Sequence, residues 1–129
     1  MKLLLDTHIL LWWLRDNPKL GPRTRAVIAQ SESRLLASVA SFWEISIKAR
    51  KGQFDEPGSS LWVDAVAQGI EVVGINSQHL EALERLPNER AHGDPFDHLI
   101  LAQTIVEGAL LVTSDRDLLK YDVPMLRAK

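Results

Sequence analysis

The chain has 129 residues, 15 Lys and Arg against 17 Asp and Glu for a net charge of −2, and no cysteine. That length suits one domain with a real core, expected to run over residues 1–129. The lack of cysteine excludes disulfides and thiolate metal centres and suits a reducing, cytoplasmic setting. A near-neutral balance excludes a generic polyanion binder, and no stretch approaches the ~20 apolar residues of a membrane span. The opening MKLLLDTHILLWWLRD carries one Lys, an Asp inside its apolar run and no small-residue cleavage site, so it reads as folded chain rather than a signal peptide.

In chain order, KLLL (2–5) is a short apolar strand ending at Asp6, and HILLWWLRD follows at helical spacing until NPKLG stops it. PRTRAVIAQ reads as a helix with Pro22 in its first turn. RLLAS (34–38) is a strand, and VASFWEISIKARKG (39–52) is an amphipathic helix closed by Gly52. SLWVDAVAQG (60–69) is a further helix, IEVVGI (70–75) a strand, and SQHLEALERL (77–86) a helix expected to be capped by Ser77 and ended by Pro87. PFDHLILAQTIVEG (95–108) is a helix with apolar residues on most faces, hence well buried. ALLVTS (109–114) is a fully buried strand, DLLKY about one helical turn, and VPMLR a last edge strand because it contains Pro124. Strands alternating with helices predict a three-layer α/β/α sandwich around a mostly parallel sheet of four or five strands.

That topology gathers acids. The C-terminal ends of parallel strands share one edge, where ligands bind. Asp6 and Asp115 end two strands there, Glu44 lies about two turns into a helix leaving that edge, and Asp97 sits in the first turn of a helix beginning there. Two ionised carboxylates ~5 Å apart repel by roughly 3 kcal/mol at an effective dielectric of ~20, so such a group calls for a proton or a cation. An all-oxygen donor set suits Mg²⁺ or Mn²⁺, and a water on such an ion can attack a phosphodiester. Each acid also has a plainer use. Asp6 can cap a helix, Glu44 can pair with Lys48 at i,i+4, and Asp115 and Asp117 can cap the short helix after them. Asp94, followed by Pro95, is read mainly as an N-cap, and Asp97 as the chemical residue of the two. Two basic clusters, Arg15, Lys19, Arg23 and Arg25, and Lys48, Arg50 and Lys51, are either solvated faces or a phosphate-binding rim.

LLLDTHILLWWL, SVASFWEISIK, HGDPFDHLILAQ and LLVTSDRDL occur in that order. Together they resemble the PIN-domain ribonucleases, specifically the VapC-type toxins of bacterial toxin–antitoxin pairs, over essentially the whole chain. The resemblance implies a PIN-like α/β/α fold and a Mg²⁺- or Mn²⁺-dependent endoribonuclease. It also implies Asp6, Glu44, Asp97 and Asp115 as catalytic and metal-binding acids, with Asp6 and Asp97 the principal ligands and Glu44 a ligand or the orienter of the attacking water. Thr7 and Ser114 would support the site by hydrogen bonds to ligands or phosphate, and Asp94 and Asp117 are further supporting residues. The likeness implies an RNA substrate, a cognate antitoxin covering the site, and a homodimer. One position departs from it: His98 stands where similar proteins often carry Arg, which makes any phosphate contact there weaker or pH-dependent. His8 and His92 read as hydrogen-bonding or surface residues, and no HExxH spacing supports zinc.

Trp12, Trp13, Trp43 and Trp62 are core residues by default; exposed, they would mark a dimer seam or a groove for a partner helix. A haloacid-dehalogenase-like phosphatase would need a second Asp two residues after Asp6, where His8 stands, and a receiver-like phospho-acceptor would need an acid at position 5, which is Leu. A catalytically degenerate PIN-like module binding RNA or protein is the remaining alternative.

Overall fold

The computed structural model describes residues 1–30, 32–87 and 93–128; His92 lies outside them. Among the described residues five strands form one sheet: β1 (Lys2–Leu5), β2 (Arg34–Ser38), β3 (Glu71–Val73), β4 (Leu110–Thr113) and β5 (Met125–Arg127). Their order is β3-β2-β1-β4-β5, and every pairing is parallel. The helices between them are α1 (Thr7–Leu14), α2 (Pro22–Ala29), α3 (Val39–Arg50), α4 (Gly58–Ala67), α5 (Ser77–Glu84) and α6 (Pro95–Glu107), with one 3₁₀ turn at Leu118–Lys120.

The strands read as apolar runs because both faces are covered. Leu3 and Leu5 of β1 pack with Ile9 and Leu10 of α1, Ile28 of α2, Phe42 and Ile45 of α3, and Leu61 of α4. Leu4, between them in sequence, points the other way, onto Leu99, Ile100 and Leu101 of α6 and Leu111 of β4. The period of two along β1 thus separates two cores, one on each face of the sheet, and makes three layers. β5 is an edge strand, with Pro124 just before it contributing only its carbonyl, to Leu111.

Helix ends follow local chemistry. Pro22 and Pro95 stand at first-turn positions, and Gly108 ends α6 at φ 61°, a left-handed conformation that costs glycine little. The cap of α5 is Asn76, not Ser77. Its side chain accepts from His79 N at 3.1 Å, while His79 Nδ1 accepts from Asn76 N at 3.1 Å. Asn and Ser cap equally well, and the partner three residues into the helix sets the register. α4 begins two residues earlier than its pattern suggested and β3 is shorter, confined to Glu71–Val73.

Candidate metal and nuclease site

β1 lies at the centre of the sheet. From it the chain steps outward to β2 and β3, then crosses back to place β4 on the other side of β1. The C-terminal ends of β1 and β4 are therefore a topological switch point, where open α/β sheets leave a crevice. Asp6 directly follows β1, and Ser114 and Asp115 directly follow β4.

The register decides what Asp6 meets. Leu4 pairs with Leu111 and Leu5 with Val112, so Asp6 falls level with Thr113. Asp6 N donates to Val112 O at 3.0 Å, extending the ladder by one bond. The Asp6 carboxylate is buried and divided between two tasks. Oδ1 accepts from Thr7 N at 2.8 Å, capping α1, and Oδ2 accepts from Thr113 Oγ1 at 2.7 Å. Thr113 Oγ1 in turn accepts from Asp115 N at 3.0 Å. One buried hydroxyl thus joins the Asp6 carboxylate to the Asp115 backbone amide. Burial pushes the Asp6 carboxyl above its ordinary value; the Thr113 and Thr7 hydrogen bonds and His8 pull it down, and the Asp115 charge pushes it up.

The other candidates sit on helices around this pair. Thr7 is buried, and its hydroxyl lies 2.8 Å from that of Ser41, so it ties α1 to α3. Ser41 and Glu44 are three apart on α3 and share a face, which puts Glu44 one turn beyond that tether. Glu44 is 3.3 Å from Lys48, the i,i+4 pair legible in sequence. Asp97 is in the first turn of α6, which starts at the same sheet edge because it runs back to feed β4. Asp94 is its N-cap, with Oδ1 accepting from Phe96 N at 2.9 Å and Asp97 N at 3.4 Å. Replacing Asp94 by Ala should lower stability by about 1 kcal/mol in urea unfolding, and Asp94→Ser should restore most of it. Ser114 is exposed, and Asp115 Oδ1 accepts from Asp117 N at 2.9 Å. Asp117 makes no side-chain cap to the 3₁₀ turn and lies 3.7 Å from Lys120. His98 Nε2 is 3.3 Å from the Tyr121 hydroxyl.

Two site residues were not singled out in the sequence: Thr113 and Ser41. Their signal was a hydroxyl in an otherwise apolar strand just before an acid, and a hydroxyl three residues before Glu44. Two of the four cations in the first basic cluster are paired within the chain. Arg15 reaches Asp55 at 2.7 Å and Glu56 at 3.1 Å, and Arg25 reaches Asp16 at 2.6 Å.

The contacts join Asp6 to Asp115 and place Glu44 and Asp97 on the flanking helices. Among the described residues no three His, Cys, Asp or Glu side chains form a group that could hold a metal. The residues present nevertheless fit Mg²⁺ or Mn²⁺ held by few protein ligands. Mg²⁺ keeps most of its waters and binds through one or two carboxylates plus substrate phosphate. The donors at the switch point are oxygens, and each Asp6 oxygen, accepting one hydrogen bond here, has further acceptor capacity.

A family model for the PIN domain matches residues 3–124. Ribonuclease VapC22 of Mycobacterium tuberculosis is 30% identical over 122 residues, covering 94% of this chain and 92% of that protein. Among solved structures, VapBC2 from Rickettsia felis bound to a promoter DNA fragment superposes with a TM-score of 0.75 at 15% identity, over 100% of both chains. VapBC-1 from nontypeable Haemophilus influenzae superposes with a TM-score of 0.69 at 18% identity, over 98% of both chains. These structures show the shared fold, and the domain match and the VapC22 relationship show the lineage: the chain belongs to the PIN-domain family, among its VapC-type members.

Proposed function

We propose that this chain is a Mg²⁺- or Mn²⁺-dependent endoribonuclease that hydrolyses RNA phosphodiester bonds as the toxin of a toxin–antitoxin pair. The observation that supports the proposal is the Asp6–Thr113–Asp115 link at the switch point, where the Thr113 hydroxyl donates to the buried Asp6 carboxylate and accepts from the Asp115 backbone N–H, so that the two acids leave adjacent strand ends. A relative that is itself named a ribonuclease supports the activity. The VapBC complexes support an antitoxin partner.

In this reading Asp6 and Asp115 would hold the ion directly, and Asp97, from the first turn of α6, and Glu44 would bind its remaining waters, Glu44 orienting the attacking one. A bound divalent ion supplies an activated water and neutralises charge developing on the phosphate. Thr113 fixes Asp6 with Oδ2 in place before substrate arrives, which avoids reorganisation during the reaction. Thr7 and Ser41 hold α3, and so Glu44, against the first strand end. The fixed helix start set by Asp94 positions Asp97. Water is the nucleophile, so no side chain has to form a covalent intermediate.

Single-stranded or loop RNA is the expected substrate form, because unpaired bases can be splayed out and read. Val63 and Val66 on α4 are 68% and 53% exposed, with Trp62 beside them, an apolar surface suited to a protein partner such as the antitoxin or a second copy. Among the described residues no helix is long and apolar enough to cross a membrane. Action in the cytoplasm, on RNA there, follows from the proposed activity.

The test is cleavage of a mixed single-stranded RNA pool with Mg²⁺ or Mn²⁺, with EDTA, and by a folded Asp97→Asn variant. Metal-dependent cleavage lost in the variant is expected. Cleavage that persists in EDTA would overturn the metal-dependent mechanism. No cleavage and no metal binding would favour the degenerate binding module.

A further inference from the structure

Beside the acidic edge lies an open depression of about 460 Å³ between the second half of α3 and the start of α6. Glu44, Lys48, Lys51, Gln53, Pro95 and Phe96 are among the residues lining it. Glu44, Lys48 and Lys51 recur at i, i+4 and i+7, so they form one stripe along α3 that starts at a proposed catalytic acid and ends in lysine. Trp43 lies outside that lining and reaches it through Phe96, which is part of it. Its ring meets Phe96 at 5.1 Å and 89°, yet the residue remains 55% exposed. The pair Trp43 and Phe96 therefore spans the two helices that carry Glu44 and Asp97, each aromatic one residue before its acid.

We propose that this depression is a subsite for the RNA strand next to the scissile phosphate, with Trp43 as the stacking platform for one base and Lys51 as a contact to a flanking phosphate. The proposal rests on the ribonuclease reading and adds the path of the strand to it. A half-exposed indole set at right angles to a second ring is held in place, and single strands bind by stacking bases on such aromatic side chains beside cationic ones. Lys48 is engaged with Glu44 at 3.3 Å, whereas no ion pair to Lys51 is made among the described residues. Asp94 also faces the depression, but its Oδ1 is turned to the amides of α6. Lysine at the middle of the patch argues against a protein partner there, because protein interfaces deplete Lys. The apolar α4 surface carries no Lys among Trp62, Val63 and Val66, a different character.

Steady-state cleavage of a single-stranded RNA by the wild type, Trp43→Ala, Trp43→Phe and Lys51→Gln tests this, with folding checked by circular dichroism. Trp43→Ala should raise KM by roughly tenfold or more with kcat within about twofold, and Trp43→Phe should restore most of it. Lys51→Gln should raise KM about severalfold and flatten its salt dependence by about one phosphate contact. An active wild type whose KM is indifferent to both Trp43→Ala and Lys51→Gln would overturn the subsite. Should the wild type cleave no RNA, the ribonuclease reading fails separately. Indole fluorescence then decides the subsite: quenching on adding single-stranded RNA with Mg²⁺, absent in Trp43→Phe, supports it. No quenching overturns it and leaves Trp43 as a protein contact.

Discussion

Asp6→Asn is expected to lower RNA cleavage by about 10³-fold, the scale of removing a group that acts in the transition state, while leaving the protein folded. The geometry separates the two effects. An Asn side chain can still cap α1 through its carbonyl oxygen, replacing the bond Asp6 Oδ1 accepts from Thr7 N. It cannot supply the anionic oxygens a hard cation needs. Stability should move in the opposite direction from activity. Burial raises the Asp6 carboxyl in the folded state, so the native protein holds that proton more tightly than the unfolded chain. Its contribution is fully present below the unfolded value of about 3.9 and is lost as pH rises through the raised folded value. At neutral pH and without metal, the wild type therefore carries a buried charge that the Asn variant lacks. Urea unfolding of both proteins from about pH 4 upward, in EDTA, should show the variant gaining on the wild type as pH rises. Added Mg²⁺ should stabilise the wild type and close the gap, because a ligand bound only by the folded state shifts the equilibrium toward it. A variant less stable than the wild type at neutral pH in EDTA would contradict the assignment of Asp6 as a strained, cation-requiring carboxylate.

Thr113→Val should cost roughly 10–100-fold in cleavage or in apparent metal affinity, the range found when a group supporting a metal ligand is removed. Valine keeps the shape and the β-branched preference for a strand and deletes only the hydroxyl. Two bonds go with it: the 2.7 Å donation to Asp6 Oδ2 and the 3.0 Å acceptance from Asp115 N. Leaving these groups without partners should also destabilise the fold by about 1–3 kcal/mol. Thr113→Ser keeps the hydroxyl and should recover most of both losses. The metal concentration giving half-maximal rate separates a positioning role from a merely structural one. It should rise in Thr113→Val and return in Thr113→Ser, whereas a stability effect alone would leave it unchanged in the folded fraction.

Much of this arrangement was legible because the strands are unusually plain. KLLL and RLLAS match β1 and β2 residue for residue, since a strand buried on both faces must be an apolar run and the next polar residue ends it. Asp94, Pro95 and Gly108 bounded α6 for local steric and hydrogen-bonding reasons. The order of strands was not legible, as parallel pairing depends on long-range contacts that no local pattern encodes. That order puts Asp6 beside Thr113, so the hydroxyl joining Asp6 to Asp115 could be found only once β1 and β4 were known to be neighbours. The resemblance implied a supporting hydrogen bond from Thr7, and the packing of α1 on α3 also gives its hydroxyl Ser41 as a partner. Glu44 makes the i,i+4 pair with Lys48 that its spacing suggested. The tryptophans divided by helix face: Trp12 and Trp13 pack against the core, while Trp43 and Trp62 reach solvent.

The most direct measurement is a crystal structure of the protein grown with Mn²⁺, with anomalous scattering used to locate the ion. The account predicts one ion at the switch point between β1 and β4, with an oxygen of Asp6 and an oxygen of Asp115 each about 2.1 Å away and Thr113 still bonded to Asp6. Manganese bound only elsewhere, or an Asp6–Asp115 pair left without an ion at saturating Mn²⁺, would contradict it.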